Sequence, residues 1–269
     1  MPRDPAGCSA AAVQAWISSQ AMRAPVDTIL APAFLTHLRW VNVKSLRMGG
    51  QHGKPVLIEF WDLCRPNSMR TRPYINAWHE RYEPDGLVVV GIHSPGFEPG
   101  RERSAAEAAV ERLGIAHPVL LDPDLEMWRE YENEGWPARY LFDGRGVLFD
   151  YHYGEGAYEE TELAIQELLG VKREPLAPLR PEDAPDARLE AQSEDREGAY
   201  SGPYEAGGVW GVLDGEGTVR VNGSELAVTH LGAYPLIEHE RHTAGVLELE
   251  VGPGVECLAT CFTPGLAPE

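Results

Sequence analysis

A single cysteine stands where an apolar strand gives way to a helix, a position at which a thiol could do redox chemistry. Residues 60–78 read FWDLCRPNSMRTRPYINAW, with Cys64 just before the expected helix and Arg65 beside it. A helix N-terminus and a neighbouring cation both lower the pKa of a thiol, so one interpretation is a reactive thiolate. Such a thiolate could become a sulfenic acid, form a mixed disulfide or reduce a peroxide. We favour the alternative, that Cys64 packs inside the fold, because free cysteines are usually buried.

This segment lacks the second cysteine that dithiol chemistry requires. The cysteines are Cys8, Cys64, Cys257 and Cys261, and no pair has the CxxC spacing. Exchange through an internal disulfide needs an attacking thiolate and a resolving thiol within a turn of helix, so conventional reductase activity is not expected. Cys257 and Cys261 lie on one predicted strand, roughly 13 Å apart on one face, which is too far for a disulfide. We interpret them as buried free thiols.

The amino-acid composition of the chain argues against some classes of binding partner. The chain has 269 residues, 43% of them hydrophobic, and a formal charge of −19. A chain this acidic repels phosphate backbones, which argues against nucleic-acid binding. No apolar run approaches the ~18 residues of a membrane span, and the N-terminus lacks the basic and apolar regions of a secretory signal. The expectation is a cytoplasmic protein.

The elements that position Cys64 follow from hydrophobic periodicity and turn signals. We predict strands over 38–43, 56–61, 87–92, 119–121, 139–142 and 147–153, and helices over 9–22, 67–83, 104–114 and 157–169, with a further helix capped by Asp122. A capping box of Ser104 and Glu107 is expected to open the third of these helices. The result is a central mixed sheet flanked by helices.

The second half of the chain changes character. Residues 171–198 are charged and rich in proline, which is typical of a linker. Short alternating strands follow over 199–264, with a hairpin signal at Asn222–Gly223, and predict a small all-β sandwich of about six strands. The predicted organisation is an N-terminal helical extension (1–37), an α/β domain (38–170), the linker (171–198) and the sandwich domain (199–269).

Several segments of residues 38–170 are similar to the TlpA/DipZ-like branch of thioredoxin-fold thiol-disulfide reductases, the redoxins. The matching pieces are IEFW, Asn67, Arg70-Thr71, Pro73-Tyr74, Asn76-Ala77-Trp78, VVVGIHSP, HPVLLDPD, GWPARYLFDGRG and HYGEGAYEETE. The resemblance implies a thioredoxin-like fold, and an ungapped alignment places Arg65 and Ser68 at the two cysteine positions of the motif. A gap before Cys64 would instead make Cys64 the nucleophile and Asn67 the replaced partner. Proteins of the DipZ type also carry a sandwich resembling a carbohydrate-binding module, which agrees with 199–264 in architecture.

The resemblance also implies a substrate cleft. Its expected residues are Trp61, Asn67, His93, Trp136 and Pro137. The Trp136–Pro137 bond is expected to be cis and to face the active loop, so that residue 136 can pair with an extended peptide or a thiol substrate.

Three weaker site hypotheses concern other polar and aromatic residues. Arg65, Arg70 and Arg72 could hold an anion at the helix start, although a solvated helix face is the simpler interpretation. His239 and His242 are weak candidates for a metal site, and we otherwise predict none. Trp210 or Tyr234 could stack on a sugar, although a core role for Trp210 is favoured.

Three functions therefore compete. The leading one is a binding or scaffold module that lacks the CxxC dithiol and is not a reductase. The second is an enzyme, a single-cysteine thiol-dependent oxidoreductase or peroxidase that uses Cys64 with Arg65. The third is a sugar- or peptide-binding protein that acts through the sandwich. No cofactor is predicted, the ligand could be a thiol, a peptide or a small molecule, and a homo-oligomer stays open.

Overall fold

A computed structural model describes residues 28–269. The helix predicted over 9–22 and Cys8 lie outside these residues.

A six-stranded mixed sheet forms the centre of the first half of the chain. Its strands are β1 (Arg39–Val41), β2 (Val56–Trp61), β3 (Val88–His93), β4 (Val119–Leu121), β5 (Ala138–Phe142) and β6 (Leu148–Tyr153), in the spatial order β1-β4-β3-β2-β5-β6. Strands β2, β3 and β4 run parallel, and the other pairings are antiparallel. All six residues of β2 are buried, as the continuous apolar run predicts for a strand covered on both faces.

Four helices flank this sheet: α1 (Pro66–Tyr82), α2 (Arg103–Arg112), α3 (Glu126–Glu130) and α4 (Tyr158–Leu169). Helix α1 begins with a proline. Proline lacks a backbone N–H, but the first residue of a helix needs none, because its N–H would have no acceptor within the helix. The Asp122 carboxylate accepts hydrogen bonds from the backbone N–H groups of Met127 and Trp128, both at 3.0 Å, so its predicted role at the start of α3 is confirmed.

The predicted capping box at Ser104 is wrong. Helix α2 begins at Arg103, after Glu102, and no side chain caps it. Glu107 instead accepts a hydrogen bond from Arg103 Nε at 2.7 Å, one helical turn away. A carboxylate engaged in this pair cannot reach back to the Ser104 N–H.

The proline-rich linker is hydrogen-bonded to side chains of the helices. The backbone N–H of Leu179 donates to the Tyr74 hydroxyl at 2.7 Å, and that hydroxyl donates to Asp183 at 2.9 Å. The Leu176 N–H donates to a carboxylate oxygen of Glu162 at 2.8 Å. Two short strands, β7 (Leu189–Glu190) and β8 (Arg196–Glu197), complete the segment.

The second half of the chain is a β-sandwich. Its strands are β9 (Gly202–Gly215), β10 (Gly217–Val221), β11 (Ser224–Val228), β12 (Gly232–Leu247), β13 (Leu249–Val251), β14 (Val255–Thr263) and β15 (Gly265–Leu266). One sheet has the order β11-β10-β13 and the other β12-β9-β14-β8. Asn222 and Gly223 form the predicted turn between β10 and β11, with φ angles of 47° and 84°. The fold class is therefore confirmed: a thioredoxin-like α/β fold followed by a sandwich.

Cys257 and Cys261 do not share a face of their strand. A β-bulge separates Cys257 from Ala259, so the residues after it point to the opposite side. Cys257 packs against the interior of the sandwich, whereas Cys261 is buried against the α/β half. The prediction of one shared face is wrong for this reason.

The sandwich and the α/β half share a hydrophobic core. This core joins Leu63 and Cys64, from the loop before α1, to Trp210, Val212 and Cys261 of the sandwich. The backbone N–H of Ala233 donates to the Leu63 carbonyl at 3.1 Å. The sandwich is therefore packed directly on the loop that the sequence marks as the candidate site. Within residues 28–269, none of the helices has both the length and the apolar character needed to cross a membrane.

Candidate binding cleft at the start of helix α1

The carboxylate of Asp62 organises the loop between β2 and α1. One of its oxygens accepts the backbone N–H of Cys64 and the other that of Gly96, both at 2.9 Å. The N–H of Asp62 itself donates to the Ser68 hydroxyl at 3.2 Å. Ser68 is fully buried, so its oxygen holds the loop and faces no solvent.

Cys64 is sealed in the core that the two halves of the chain share. Its side chain has no exposed surface. Burial, reinforced by the Asp62 carboxylate, raises the pKa of the Cys64 thiol, and Arg65 offsets this only in part. Cys64 therefore packs inside the fold, as favoured above. The alternative of a lowered thiol pKa is wrong, because desolvation of the thiolate outweighs the nearby cation and the helix start.

Arg65 stands at the residue before α1 and points along the loop instead of into the core. Its guanidinium lies 4.8 Å from the centre of the Trp136 ring and 5.0 Å from that of Phe97. Its Nε is 3.7 Å from a carboxylate oxygen of Asp62 and is buried without a hydrogen-bond partner. Two aromatic rings thus brace the cation at the mouth of the loop.

The peptide bond between Trp136 and Pro137 is cis. The Trp136 indole N–H donates to the Ser94 carbonyl at 2.7 Å, and its ring lies 4.2 Å from that of Trp128. Trp136 is therefore fixed where it faces Arg65.

A cleft of about 450 Å³ opens in front of Arg65 and Trp136. The α/β half contributes Arg65, Pro66, Asn67 and Trp136, and the opposite wall consists of Gln192, Ser193, Glu194, Asp195, Cys261 and Phe262. The predicted cleft residues Asn67 and Trp136 line it.

Comparison with known proteins finds relatives of the α/β half. Protein DipZ of Mycobacterium tuberculosis is 35% identical over 155 residues, which cover 55% of this chain and 22% of DipZ. Thiol-disulfide oxidoreductase YkuV of Bacillus subtilis is 28% identical over 130 residues, which cover 48% of this chain and 87% of YkuV. The α/β half is therefore similar to proteins of the redoxin family.

The likeness is confined to part of each larger relative. The matched region is about a fifth of DipZ, and no family model matches the chain. Among solved structures, a thiol-disulfide isomerase from Corynebacterium glutamicum is 22% identical, with a TM-score of 0.47, covering 53% of this chain and 98% of that one.

Two residues that the sequence assigns to the redoxin cleft lie beneath it. Trp61 has no exposed surface and His93 is 2% exposed, with their rings 4.8 Å apart. His93 Nε2 is 3.9 Å from Asp62 and makes no hydrogen bond. Burial, with Arg72 adding to it, lowers the pKa of His93 to about 3, so the ring is neutral at pH 7. Their assignment to the cleft is wrong because both side chains are covered by other residues, with the Arg72 guanidinium 4.4 Å from the centre of the Trp61 ring. Pro137 is likewise buried.

The three arginines near the helix start do not converge on one anion site. Arg70 is paired with Glu155 at 2.8 Å and with Glu182 at 3.0 Å. Arg72 is buried inside the α/β half, with its Nη1 2.7 Å from Glu59 Oε2. Alternate sides of a helix separate these side chains, and Arg65 is the member that faces the cleft.

Sequence reasoning missed a buried charge cluster in the α/β half. Glu59 lies on β2 and Arg139 directly opposite it on β5, while Arg72 reaches Glu59 from α1. All three are at most 2% exposed. The signal was a charged residue inside each of two apolar strands, because such a charge needs a partner.

The sandwich offers neither the predicted sugar platform nor the weak metal site. Trp210 and Tyr234 are 7% and 8% exposed, so neither presents a ring face for stacking. His239 Nε2 is 2.9 Å from the Tyr204 hydroxyl, and His242 lies 3.9 Å from Glu205. Residues 28–269 contain no group of three or more potential ligands from His, Cys, Asp and Glu that could hold a metal ion.

Cys64 is expected to resist alkylation in the folded chain. Its burial and raised pKa keep both the thiolate population and the access of iodoacetamide low. At pH 8, mass spectrometry should show Cys64 modified at least about a hundredfold more slowly than in the same chain in urea. The part-exposed Cys257 serves as the internal comparison. Rapid labelling of Cys64 in the native chain would favour the single-cysteine enzyme.

Proposed function

We propose that this redoxin is a binding module that keeps the cleft of its family without internal dithiol exchange. The observation that carries the proposal is Arg65, which projects from the start of α1 toward Trp136 of the cis-proline bond. In the ungapped alignment this is the position of the attacking cysteine. A guanidinium cannot attack a disulfide, but it can bind an anionic group.

The surrounding residues support the same proposal. The Ser68 hydroxyl, at the position of the resolving cysteine, accepts the N–H of Asp62 and has no sulfur to contribute. The thiol of Cys64 is covered by the sandwich. A single-cysteine redox reaction would need that core to open, so the binding module is the better-supported function. The thiol-disulfide activity in the name of YkuV belongs to that relative.

The proposal is tested by restoring the missing pair. The wild-type chain should give only background turnover of a small disulfide such as oxidised glutathione, measured with a thiol recycling system. The double variant Arg65→Cys/Ser68→Cys should raise turnover by at least about tenfold, because it places two thiols at the family positions beside the cis-proline.

A matched control carries the same spacing elsewhere. Arg101→Cys/Ser104→Cys places two thiols three residues apart at the exposed start of α2, outside the lining of the cleft, and should stay near background. Wild-type turnover above background that persists when Cys64 is replaced would overturn the proposal. A folded Arg65→Cys/Ser68→Cys variant without activity would show that the cleft has been lost together with the cysteines.

A further inference from the structure

The guanidinium of Arg65 is held in place, and none of the described residues accepts a hydrogen bond from it. The rings of Trp136 and Phe97 fix its position, and the side chain is 31% exposed. Asp62 stands at 3.7 Å, beyond hydrogen-bond range, and Nε lacks a partner. Among residues 28–269, no acceptor takes a hydrogen bond from this side chain. A braced arginine with free donors is suited to a carboxylate, which it can bind through two parallel hydrogen bonds.

The opposite wall of the cleft is acidic and is fixed to the sandwich. The N–H of Ser193 donates to the backbone carbonyl of Glu205 on β9 at 2.7 Å, and the N–H of Glu205 donates to the Ser193 hydroxyl at 2.9 Å. Asp195 accepts the N–H of Phe262 at 3.0 Å. Glu194 lies between these two anchored residues, and both Glu194 and Asp195 line the cleft.

The distribution of charge selects among anionic ligands. One cationic residue lines the first wall, and two acidic residues line the second. A simple anion such as phosphate gains from Arg65 but is repelled by Glu194 and Asp195. A ligand that also carries a cation on its other side meets complementary charge on both walls. The ring of Trp136 offers apolar surface for its body, and the volume of about 450 Å³ is within the usual range of small-molecule sites.

We propose that this cleft binds a small zwitterion of the α-amino-acid class, with its carboxylate on Arg65 and its ammonium group between Glu194 and Asp195. This inference rests on the proposed binding function and names its ligand class. Both walls are needed, so the site exists only because the sandwich is packed against the α/β half.

The test titrates the full chain with L-phenylalanine at pH 7 and follows backbone amide and indole NMR signals. Two matched probes each remove one charge: 3-phenylpropionate keeps the carboxylate, and 2-phenylethylamine keeps the ammonium group. L-phenylalanine should shift the Trp136 indole signal and the amides of 192–195, and each partial probe should bind at least about tenfold more weakly. Arg65→Gln should weaken L-phenylalanine binding at least tenfold, and Glu194→Gln should weaken it less, because Asp195 remains.

Arg101→Gln is the control, since Arg101 is exposed, paired with Glu98 and outside the cleft. It should bind L-phenylalanine like the wild type. The inference is overturned if L-phenylalanine causes no shifts up to its solubility, if 3-phenylpropionate binds equally well, or if folded Arg65→Gln binds unchanged. These results leave the disulfide assay untouched, so this inference can fail while the proposed binding function stands. Turnover of a disulfide by the wild type would count against the proposed function alone.

Discussion

Replacing Glu59 by glutamine is expected to lower the free energy of unfolding by about 3–5 kcal/mol, because it leaves two arginines buried without a counter-ion. Glu59 has no exposed surface, and its Oε2 lies 2.7 Å from Arg72 Nη1. Arg139 is its direct partner across the β2–β5 ladder. Removing this negative charge leaves two like charges in a medium of low polarity.

Arg72→Met is expected to cost less than Glu59→Gln, because Arg139 still balances Glu59 in that variant. Urea unfolding at pH 7 measures both changes. Arg103→Met is the surface control: its ion pair with Glu107 is largely exposed, so its loss should cost about 0.5 kcal/mol or less. A Glu59→Gln variant within about 1 kcal/mol of the wild type, or a larger loss in Arg72→Met, would contradict the assigned charge balance.

Much of the fold was predictable because its signals are local. Strand 56–61 was predicted with the bounds that the structure has, and helix 67–83 lies one residue from the observed Pro66–Tyr82. The hairpin at Asn222–Gly223 also formed as predicted. In each case a few neighbouring residues determine the backbone, through apolar runs, a starting proline or a two-residue turn.

The candidate site was predictable only on one wall. Arg65, Asn67 and Trp136 follow from the family motif, but Glu194, Asp195 and Phe262 reach the cleft through the docking of the sandwich. That docking depends on contacts between residues far apart in the chain, for which the sequence has no local signal. Composition also predicted a linker over 171–198, but it carried no signal for the hydrogen bonds that the backbone of this segment makes with side chains of α1 and α4.

The side chain of Cys64 shows the same limit. Two local features, a helix start and a neighbouring cation, act to lower the thiol pKa. The decisive factor is the burial of Cys64 against Trp210 and Cys261, which come from the other half of the chain. A non-local contact therefore reverses the direction of the pKa shift that the neighbouring residues favour.

Acid is expected to destabilise the chain through two buried histidines. His93 is 2% exposed and His117 has no exposed surface, and burial lowers the pKa of each to about 3. In the unfolded chain a histidine has a pKa of about 6.5. Their stabilising effect is therefore complete above pH 6.5 and is lost as the pH falls toward 3, because the unfolded state takes up protons that the folded state excludes. Between pH 7 and pH 5 the expected loss is about 2 kcal/mol per histidine.

Single substitutions isolate this effect from other titrating groups. Burial raises the pKa of the Asp62 and Asp122 carboxyl groups, which favours folding at lower pH and opposes the histidines. The measurement is therefore the difference in unfolding free energy between pH 7 and pH 5, by urea titration, for the wild type, His93→Gln, His117→Gln and the exposed control His52→Gln. Each buried-site variant should lose about 2 kcal/mol less than the wild type over this interval, whatever its stability at pH 7, whereas the control should match the wild type. Equal pH dependence in all four proteins would mean that His93 and His117 take up protons in the folded state, and that the neutral core beneath the cleft is wrongly assigned.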